Sequence, residues 1–250
     1  MEPKKQAATL PSQPPSVLHR VGVIGDVHGH STLLEVALRF LATQPDIDAI
    51  LCTGDLPGSE VNGDTNDCCQ LLLEYNVLSV QGNHDRWSIE NNGKRVLLGI
   101  SDQWPLAPAS IQFLETLPPT REFETPLGPL LLCHGTGEDN QTGVYPGDNG
   151  TALESNQQLH AIFSEGRIRL MVAGHTHQRM VRALDHLTLI NSAAVACEKS
   201  NSLPTRLSPG TALRRKNPCL SIVDFDKRHV QFYNIDRVSF EIAESDRFAL

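Results

Sequence analysis

Short apolar runs that end directly in glycine and metal-binding side chains constrain the fold of this chain more than any other feature. The first run is Gly22 to Gly25, and Asp26 and His28 follow at once. Because one residue separates Asp26 from His28, their side chains point to the same side of an extended chain. A carboxylate and an imidazole at one strand end can bind a metal ion if other segments supply the remaining ligands.

The same pattern recurs along the chain. Strand-like apolar runs also precede Gly54-Asp55, Gly82-Asn83-His84-Asp85, His134-Gly135 and Gly174-His175-Thr176-His177. A lone Asp or His at a strand end is usually a cap or a satisfied polar residue. Five such clusters at equivalent places are hard to produce by chance. We therefore predict that they form one site.

The candidate ligands combine carboxylate, imidazole and amide groups. They are Asp26, His28, Asp55, Asn83, His134, His175 and His177. This mixture suits manganese, iron or zinc better than a thiolate site would. Seven ligands exceed the needs of one tetrahedral site and suit a pair of metals that share a bridging carboxylate. We expect two divalent cations, with manganese preferred and iron, zinc, nickel or cobalt as alternatives.

Strands and helices alternate in the first part of the chain. Strands are predicted at Val21 to Asp26, Ala49 to Thr53, Val77 to Val80, Leu130 to Cys133 and Arg169 to Ala173. Helices are predicted from an N-cap at Ser31 to before Pro45, and at Asp67 to Tyr75, Ala109 to Leu117 and Ala152 to Phe163. This rhythm predicts an α/β fold with parallel strands and right-handed crossovers. In such sheets, ligands gather at the carboxyl ends of the strands.

The pattern changes after His177, where short strands follow one another without helices. They are predicted at Met180 to Leu184, Leu187 to Asn191, Leu220 to Phe225 and Val230 to Ile235. This succession suggests antiparallel pairing in a second sheet. The tail beyond residue 237 is ambiguous.

One domain is predicted over residues 19–240, preceded by a flexible, proline-containing leader at 1–18. Residues 86–125 interrupt the strand–helix rhythm and are interpreted as a cap insertion over the site. Trp87 and Trp104 in this cap could stack on a base, but packing within the cap is the favoured interpretation. A polar loop at 198–218 carries Arg206, Arg214, Arg215 and Lys216.

Composition excludes several classes of protein. The net charge of −8 disfavours nonspecific binding of nucleic acid, which needs a basic surface. Six cysteines without a CxxC pair indicate free buried thiols rather than a disulfide scaffold. The chain shows neither a signal peptide nor an apolar run of the ~20 residues that cross a membrane. We expect a cytoplasmic protein that does not enter the membrane.

In this order, the five clusters resemble the motifs of the calcineurin-like metallophosphoesterases, over roughly residues 20–235. The resemblance implies a four-layer α-β-β-α sandwich, the metallo-dependent phosphatase-like fold. It also implies a division of the ligands between two metals. Asp26, His28 and His177 would hold the first metal, Asn83, His134 and His175 the second, and Asp55 would bridge them.

Departures from the motifs indicate which branch of the family the chain resembles. Serine/threonine phosphatases and diadenosine tetraphosphatases read GDxVDRG at the second motif, whereas this chain reads Gly54-Asp55-Leu56-Pro57-Gly58-Ser59. The chain is therefore more similar to the small phosphodiesterase-like branch. That branch often carries Asn-Pro-Gly-Ser near the end of the fold, and Asn191-Ser192-Ala193 is at best a degraded version.

The resemblance implies hydrolysis of a phosphomonoester or phosphodiester by a hydroxide that bridges the two metals. His84 would protonate the leaving oxygen, and Asp85 would either orient His84 or cap the turn. Asn83 and Arg86 are the candidate substrate contacts, and the partner would be a small phosphorylated molecule. A non-catalytic binding scaffold, as in a retromer subunit with this fold, and a nuclease are the alternatives. The sequence does not indicate an oligomeric state.

Overall fold

Two mixed β-sheets lie face to face between helices in a computed structural model, which describes residues 13–58, 65–97, 106–196 and 217–250. The first sheet contains, in spatial order, β11 (Ile242–Ala249), β10 (His229–Ile235), β9 (Cys219–Asp224), β1 (Arg20–Ile24), β2 (Ala49–Cys52) and β3 (Leu78–Ser79). The second contains β4 (Thr120–Phe123), β5 (Leu130–Cys133), β6 (Leu170–Ala173), β8 (Leu187–Ser192) and β7 (Arg179–Leu184). The helices are α1 (Ser31–Thr43), α2 (Thr65–Glu74), α3 (Asn83–Leu97), α4 (Pro108–Thr116), α5 (Thr151–Glu154) and α6 (Gln157–Glu165).

Alternation of side chains along the strands creates the layers. Val21 and Val23 of β1 are buried between the two sheets, where they share a core with Leu132 of β5. Ile24 faces the opposite way and packs with residues of α1, α2 and α4. Met171 of β6 packs on the outer face of the second sheet with residues of α6. The predicted four-layer α-β-β-α sandwich is confirmed.

Each sheet contains three neighbouring parallel strands, which lie at one side of the first sheet and in the centre of the second. β1 pairs with β2 and β2 with β3 in the first sheet, and β5 pairs with β6 and β6 with β8 in the second, all in parallel. The carboxyl ends of neighbouring parallel strands therefore lie along one edge of each sheet. This arrangement positions the loops that carry the candidate ligands.

The antiparallel pairing predicted for the late strands is confirmed within β7–β8 and within β9–β10, but the prediction that all four lie in a second sheet is wrong. β9 and β10 extend the first sheet through antiparallel pairing of β9 with β1. β7 and β8 join the second sheet, where β8 is parallel to β6. A hairpin pattern identifies which strands follow one another, but the choice between two open sheet edges depends on contacts distant in sequence. The ambiguous tail forms β11, which pairs with β10 across a bulge between Gln231 and Tyr233.

Two predicted helix boundaries are also wrong. Ser31 is the first residue of α1 rather than its N-cap, and the N-cap residue His30 makes no side-chain capping hydrogen bond. The single helix predicted at Ala152 to Phe163 is divided into α5 and α6. Asn156 causes this break because its side-chain oxygen accepts a hydrogen bond from the Leu159 N–H, at 3.0 Å, and caps α6.

The ends of the predicted leader and cap belong to the sandwich. Leu18 is buried, and its N–H donates to the Glu124 carbonyl at 2.8 Å. Residues 120–123 of the predicted cap form β4, which is antiparallel to β5. Leu114 and Leu117 lie in the core between the first sheet and its helices. The other parts of these predictions at 1–12 and 98–105, and the basic loop from 198 to 216, lie outside the described residues.

The cysteines and the helices can be compared with the expectations from composition. The cysteines within the described ranges are buried and form no disulfide: Cys52, Cys68, Cys69, Cys133 and Cys219. No helix among the described residues combines the length and apolar character needed to cross a membrane.

Candidate metal centre

The predicted ligands converge where the carboxyl ends of the parallel strands of both sheets meet. The strand ends supply them in this order: Asp26 and His28 follow β1, Asp55 follows β2, Asn83 begins α3 after β3, His134 follows β5, and His175 and His177 follow β6. The two sheets contribute to one site because the loops are hydrogen-bonded to each other. The His175 N–H, for example, donates to Asp26 Oδ1 at 3.0 Å.

Asp26, His28 and His177 form one cluster. His177 Nε2 lies 3.3 Å from Asp26 Oδ1 and 3.1 Å from His28 Nε2. One ligand atom from each of the three residues lies within 4.8 Å of the others. The set joins the first motif of the chain to the last and offers a carboxylate with two imidazoles to one cation.

Asn83, His134 and His175 form a second cluster. Asn83 Oδ1 lies 2.9 Å from His134 Nε2 and 3.1 Å from His175 Nδ1. The amide oxygen is thus the common neighbour of two ring nitrogens. Asn83 and His134 are buried, whereas His175 is partly exposed.

Asp55 lies between the two clusters. Its Oδ2 is 3.8 Å from His28 Nε2 in the first cluster and 3.4 Å from His134 Nε2 in the second. Asp55 also shares a potential metal-binding group with Asp26 and His134. This carboxylate therefore lies close to ligand-type atoms of both clusters.

Backbone carbonyls orient two of the imidazoles. His134 Nδ1 donates to the Thr53 carbonyl at 2.7 Å, and His28 Nδ1 lies 3.2 Å from the Pro57 carbonyl. A hydrogen bond at Nδ1 selects the tautomer whose Nε2 has a free lone pair. Both Nε2 atoms face Asp55, so each ring is oriented to bind a cation through Nε2 once that nitrogen has lost its proton.

A buried carboxylate oxygen without a partner shows that the residues fit a cation. Asp26 is fully buried, and its Oδ2 has no hydrogen-bond partner among the described residues. An unsatisfied buried carboxylate oxygen is costly. Gly174 allows the chain to pass closely, since a Cβ there would lie 2.8 Å from this oxygen. A divalent ion would satisfy this oxygen, and mixed oxygen and nitrogen donors suit such an ion.

Electrostatics keep the carboxylates in the form that binds cations. Burial acts to raise the pKa of Asp55, but His134, aided by His28 and His84, lowers this pKa to about 2. Burial likewise acts to raise the pKa of Asp26, and His177 lowers it. Burial acts to lower the pKa of His134, but Asp55 raises it to about 9. Both carboxylates are therefore ionised near neutral pH.

Left-handed backbone conformations recur at the ligands, a feature that residue types alone do not predict. The φ angles of Asp26, His28, Asp55, His175 and His177 lie between 47° and 66°. Non-glycine residues rarely adopt this region, which costs about 1–3 kcal/mol for each residue. Such strain is characteristic of functional sites, where the surrounding structure holds each side chain in place.

Asp85 fixes the turns around Asp55. Its carboxylate accepts hydrogen bonds from the backbone N–H groups of Gly82, Asp55 and Leu56, at 2.7 to 2.9 Å. Burial, followed by the nearby Asp55 charge, raises its pKa to about 6. Of the two roles considered from the sequence, these contacts support the capping role. Asp85 therefore acts as a positioning residue.

His84 and Arg86 lie on the first turn of α3. The His84 N–H donates to Asp55 Oδ1 at 2.8 Å, and the His84 ring contacts that of His28 edge to face, with centroids 4.7 Å apart. Arg86 Nη1 lies 3.7 Å from Glu90 Oε1. Arg86 Nε is buried and has no hydrogen-bond partner among the described residues.

Trp87 is exposed, so the favoured interpretation that it packs within the cap is wrong. This residue is 39% exposed, and its ring centroid lies 5.0 Å from that of His84. The indole therefore lies beside the candidate site at the surface. The sequence favoured burial because large aromatic residues usually pack in cores.

Asn191 is a site-supporting residue whose role the sequence did not reveal. Its side-chain amide donates to the Gly174 carbonyl at 2.6 Å and to the Thr176 hydroxyl at 3.1 Å. Its side-chain oxygen accepts from the Ala193 N–H at 2.9 Å. These bonds hold the loop that carries His175 and His177. The sequence does place an asparagine in an apolar strand, but the incomplete Asn-Pro-Gly-Ser motif gave no reason to assign it this role.

We predict that Asn191→Ala destabilises the protein by about 2–3 kcal/mol and weakens metal binding. The substitution removes buried partners from a carbonyl and a hydroxyl. Urea unfolding of the metal-free protein measures the first effect, and a metal titration measures the second. Asn149→Ala is the control because Asn149 is exposed. Equal stability of the two variants would contradict this role.

Two sheets with an Asp, His and Asn cluster at their joined carboxyl ends define an α/β protein with a candidate metal centre. The chain belongs to the calcineurin-like phosphoesterase superfamily, whose domain model matches residues 20–207. It is 37% identical over 65 residues to the uncharacterized protein MJ0912 of Methanocaldococcus jannaschii. That match spans 26% of each chain, about a quarter of the curated relative.

Solved structures show the same fold at low sequence identity. The hypothetical protein PH1004 from Pyrococcus horikoshii has a TM-score of 0.63 and 13% identity, over 88% of this chain and 90% of that one. The phosphoesterase YfcE from E. coli has a TM-score of 0.51 and 16% identity, over 92% of this chain and 98% of that one. At these identities the likeness concerns the fold alone.

Proposed function

We propose that the protein is a metal-dependent phosphoesterase that hydrolyses a phosphomonoester or phosphodiester. The observation that carries this proposal is the Asp55 carboxylate, which lies between two clusters of ligand-type side chains. The unpartnered Asp26 Oδ2 supports it, because a buried anionic oxygen in such a cluster suits a cation. Membership in the superfamily agrees with this chemistry.

We propose that Asp26, His28 and His177 hold one divalent ion, and that Asn83, His134 and His175 hold a second. Asp55 is the shared ligand. When bound, such a pair supplies an activated water at neutral pH and offsets charge on phosphoryl oxygens. Manganese is the proposed metal, and iron, zinc, nickel and cobalt suit the same donor atoms.

The chain's own groups would orient the ester and its leaving oxygen. His84 is proposed to donate a proton to that oxygen, because its backbone is bonded to Asp55 and its ring packs on His28. Arg86 is proposed to contact the phosphate. It lies two residues after His84, and its Nε–H donor has no hydrogen-bond partner among the described residues. Asn83 is proposed to contact the substrate through its side-chain amide. The substrate is proposed to be a small phosphorylated molecule of the cytoplasm.

A non-catalytic scaffold with the same fold is the principal alternative, and a nuclease is the second. A scaffold would need neither His84 nor candidate ligands that converge with strained backbone angles. Both features are present in this chain and therefore favour the phosphoesterase. The net charge of −8 weighs against a nuclease, because polyanions are bound by basic surfaces.

The test is a panel of phosphoesters with Mn²⁺-loaded protein, including p-nitrophenyl phosphate as a monoester and bis-p-nitrophenyl phosphate as a diester. We expect hydrolysis that His84→Asn reduces about a hundredfold, the usual scale of general acid catalysis. His160→Asn is the matched control, since His160 is exposed on α6. Absence of turnover across the panel, with bound metal verified, would favour the scaffold.

A further inference from the structure

Three aromatic rings form a continuous edge from the candidate metal centre to the surface. We call the rings of His28, His84 and Trp87 the aromatic edge. The His28 and His84 centroids are 4.7 Å apart, and the His84 and Trp87 centroids are 5.0 Å apart. Residues three positions apart on a helix share a face, so α3 directs His84 and Trp87 to the same side.

Exposure is greatest at the Trp87 end of this edge. The His28 side chain is 14% exposed, His84 is partly exposed, and Trp87 is 39% exposed. The edge therefore leads outward from the reacting position. A group attached to the leaving oxygen beside His84 would meet the indole next.

From this arrangement we infer that Trp87 forms a stacking subsite for an ester whose leaving group carries a planar aromatic ring. The inference rests on the proposed function, because it concerns the group that departs from phosphorus. An indole provides a large, rigid face for an aryl ring or a nucleobase, and such stacking tolerates different rings. In the reaction, water forms the new bond to phosphorus, the bond to the leaving oxygen breaks, and this oxygen takes a proton from His84.

Adenosine 5′-monophosphate and ribose 5-phosphate test the subsite because they share the leaving oxygen and differ at the base. We expect kcat/KM of the Mn²⁺-loaded wild type to favour the adenosine ester by about tenfold or more, the scale of stacking on one aromatic side chain. Trp87→Leu should reduce this preference to below about twofold, and Trp87→Tyr should retain most of it. If monoesters are not hydrolysed, the methyl diesters of the same pair replace them.

A matched control separates stacking from general effects of losing a surface aromatic residue. Phe240 is 42% exposed in the turn between β10 and β11, so Phe240→Leu should leave the preference unchanged. A wild-type ratio near one would overturn the inference while leaving the proposed function in place. A ratio that Trp87→Leu does not change would do the same.

Fluorescence provides a readout that does not require turnover. The chain contains two tryptophans, so Trp104→Phe leaves Trp87 as the single indole. On mixing and before turnover, adenosine 5′-monophosphate should quench this fluorescence, and ribose 5-phosphate should not. If no ester is hydrolysed, the proposed function fails, and this measurement alone decides the subsite. Equal responses to the two ligands would overturn it.

Discussion

Asp55→Asn is expected to reduce phosphoester hydrolysis by about a thousandfold or more. The carboxylate lies between both ligand clusters, so its neutralisation weakens both halves of the site at once. The fold should persist because the amide has nearly the same shape and its oxygen can still accept from the His84 N–H. Hydrolysis of bis-p-nitrophenyl phosphate and bound metal measured on the same samples test this expectation.

Asp185→Asn is the matched control for this substitution. Asp185 has a left-handed φ of 55°, close to the 58° of Asp55, and removal of its charge changes the protein's net charge equally. Its side chain is 87% exposed and pairs with His186 in the turn between β7 and β8. We expect hydrolysis and metal content at the wild-type level. An active Asp55→Asn variant with a full metal complement would contradict the bridging role.

Gly54→Ala is expected to lower the free energy of unfolding by about 2–4 kcal/mol. Gly54 has a φ of 94°, which side chains rarely adopt, and a Cβ there would lie 2.5 Å from the Gly82 nitrogen and 2.8 Å from the Val80 carbonyl. The obstacles are backbone atoms, which cannot rotate away. Movement of the Gly54 turn would also displace Asp55. Urea unfolding monitored by circular dichroism measures the loss.

Gly147→Ala provides the control for glycine replacement. A Cβ at Gly147 meets nothing within 4 Å, so its stability should change by less than about 0.5 kcal/mol. If the two variants unfold at the same urea concentration, the close approach of the Gly54 and Gly82 turns does not limit stability.

The sequence predicted the meeting of the ligands because the signal is local. Each apolar run identifies a strand, and parallel strands bring their carboxyl ends together. Asp26 and Asp55 could therefore be assigned to one site without knowledge of tertiary contacts, whereas His134 follows β5 of the second sheet and joins them only because the two sheets meet at this edge. The resemblance to a family added the proposed division of these residues between two metals.

Features that depend on contacts distant in sequence could not be predicted in the same way. Asp85 accepts hydrogen bonds from the N–H groups of Asp55 and Leu56, which lie about 30 residues earlier in the chain. The residues next to Asp85 in the sequence therefore do not predict this role. The assignment of late strands to sheets failed for the same reason. The exposure of Trp87 depends on how α3 lies against the rest of the fold, which its composition does not determine.

Titration of the metal-free protein with Mn²⁺ tests the central claim most directly, with bound metal and bis-p-nitrophenyl phosphate hydrolysis followed in the same samples. We predict two ions per chain, and hydrolysis that is absent at the start and reaches its maximum only as the second ion binds. Hydrolysis at its maximum rate in the absence of divalent metal would contradict the proposal of a metal-dependent phosphoesterase. So would two bound ions with no turnover of any monoester or diester in the panel.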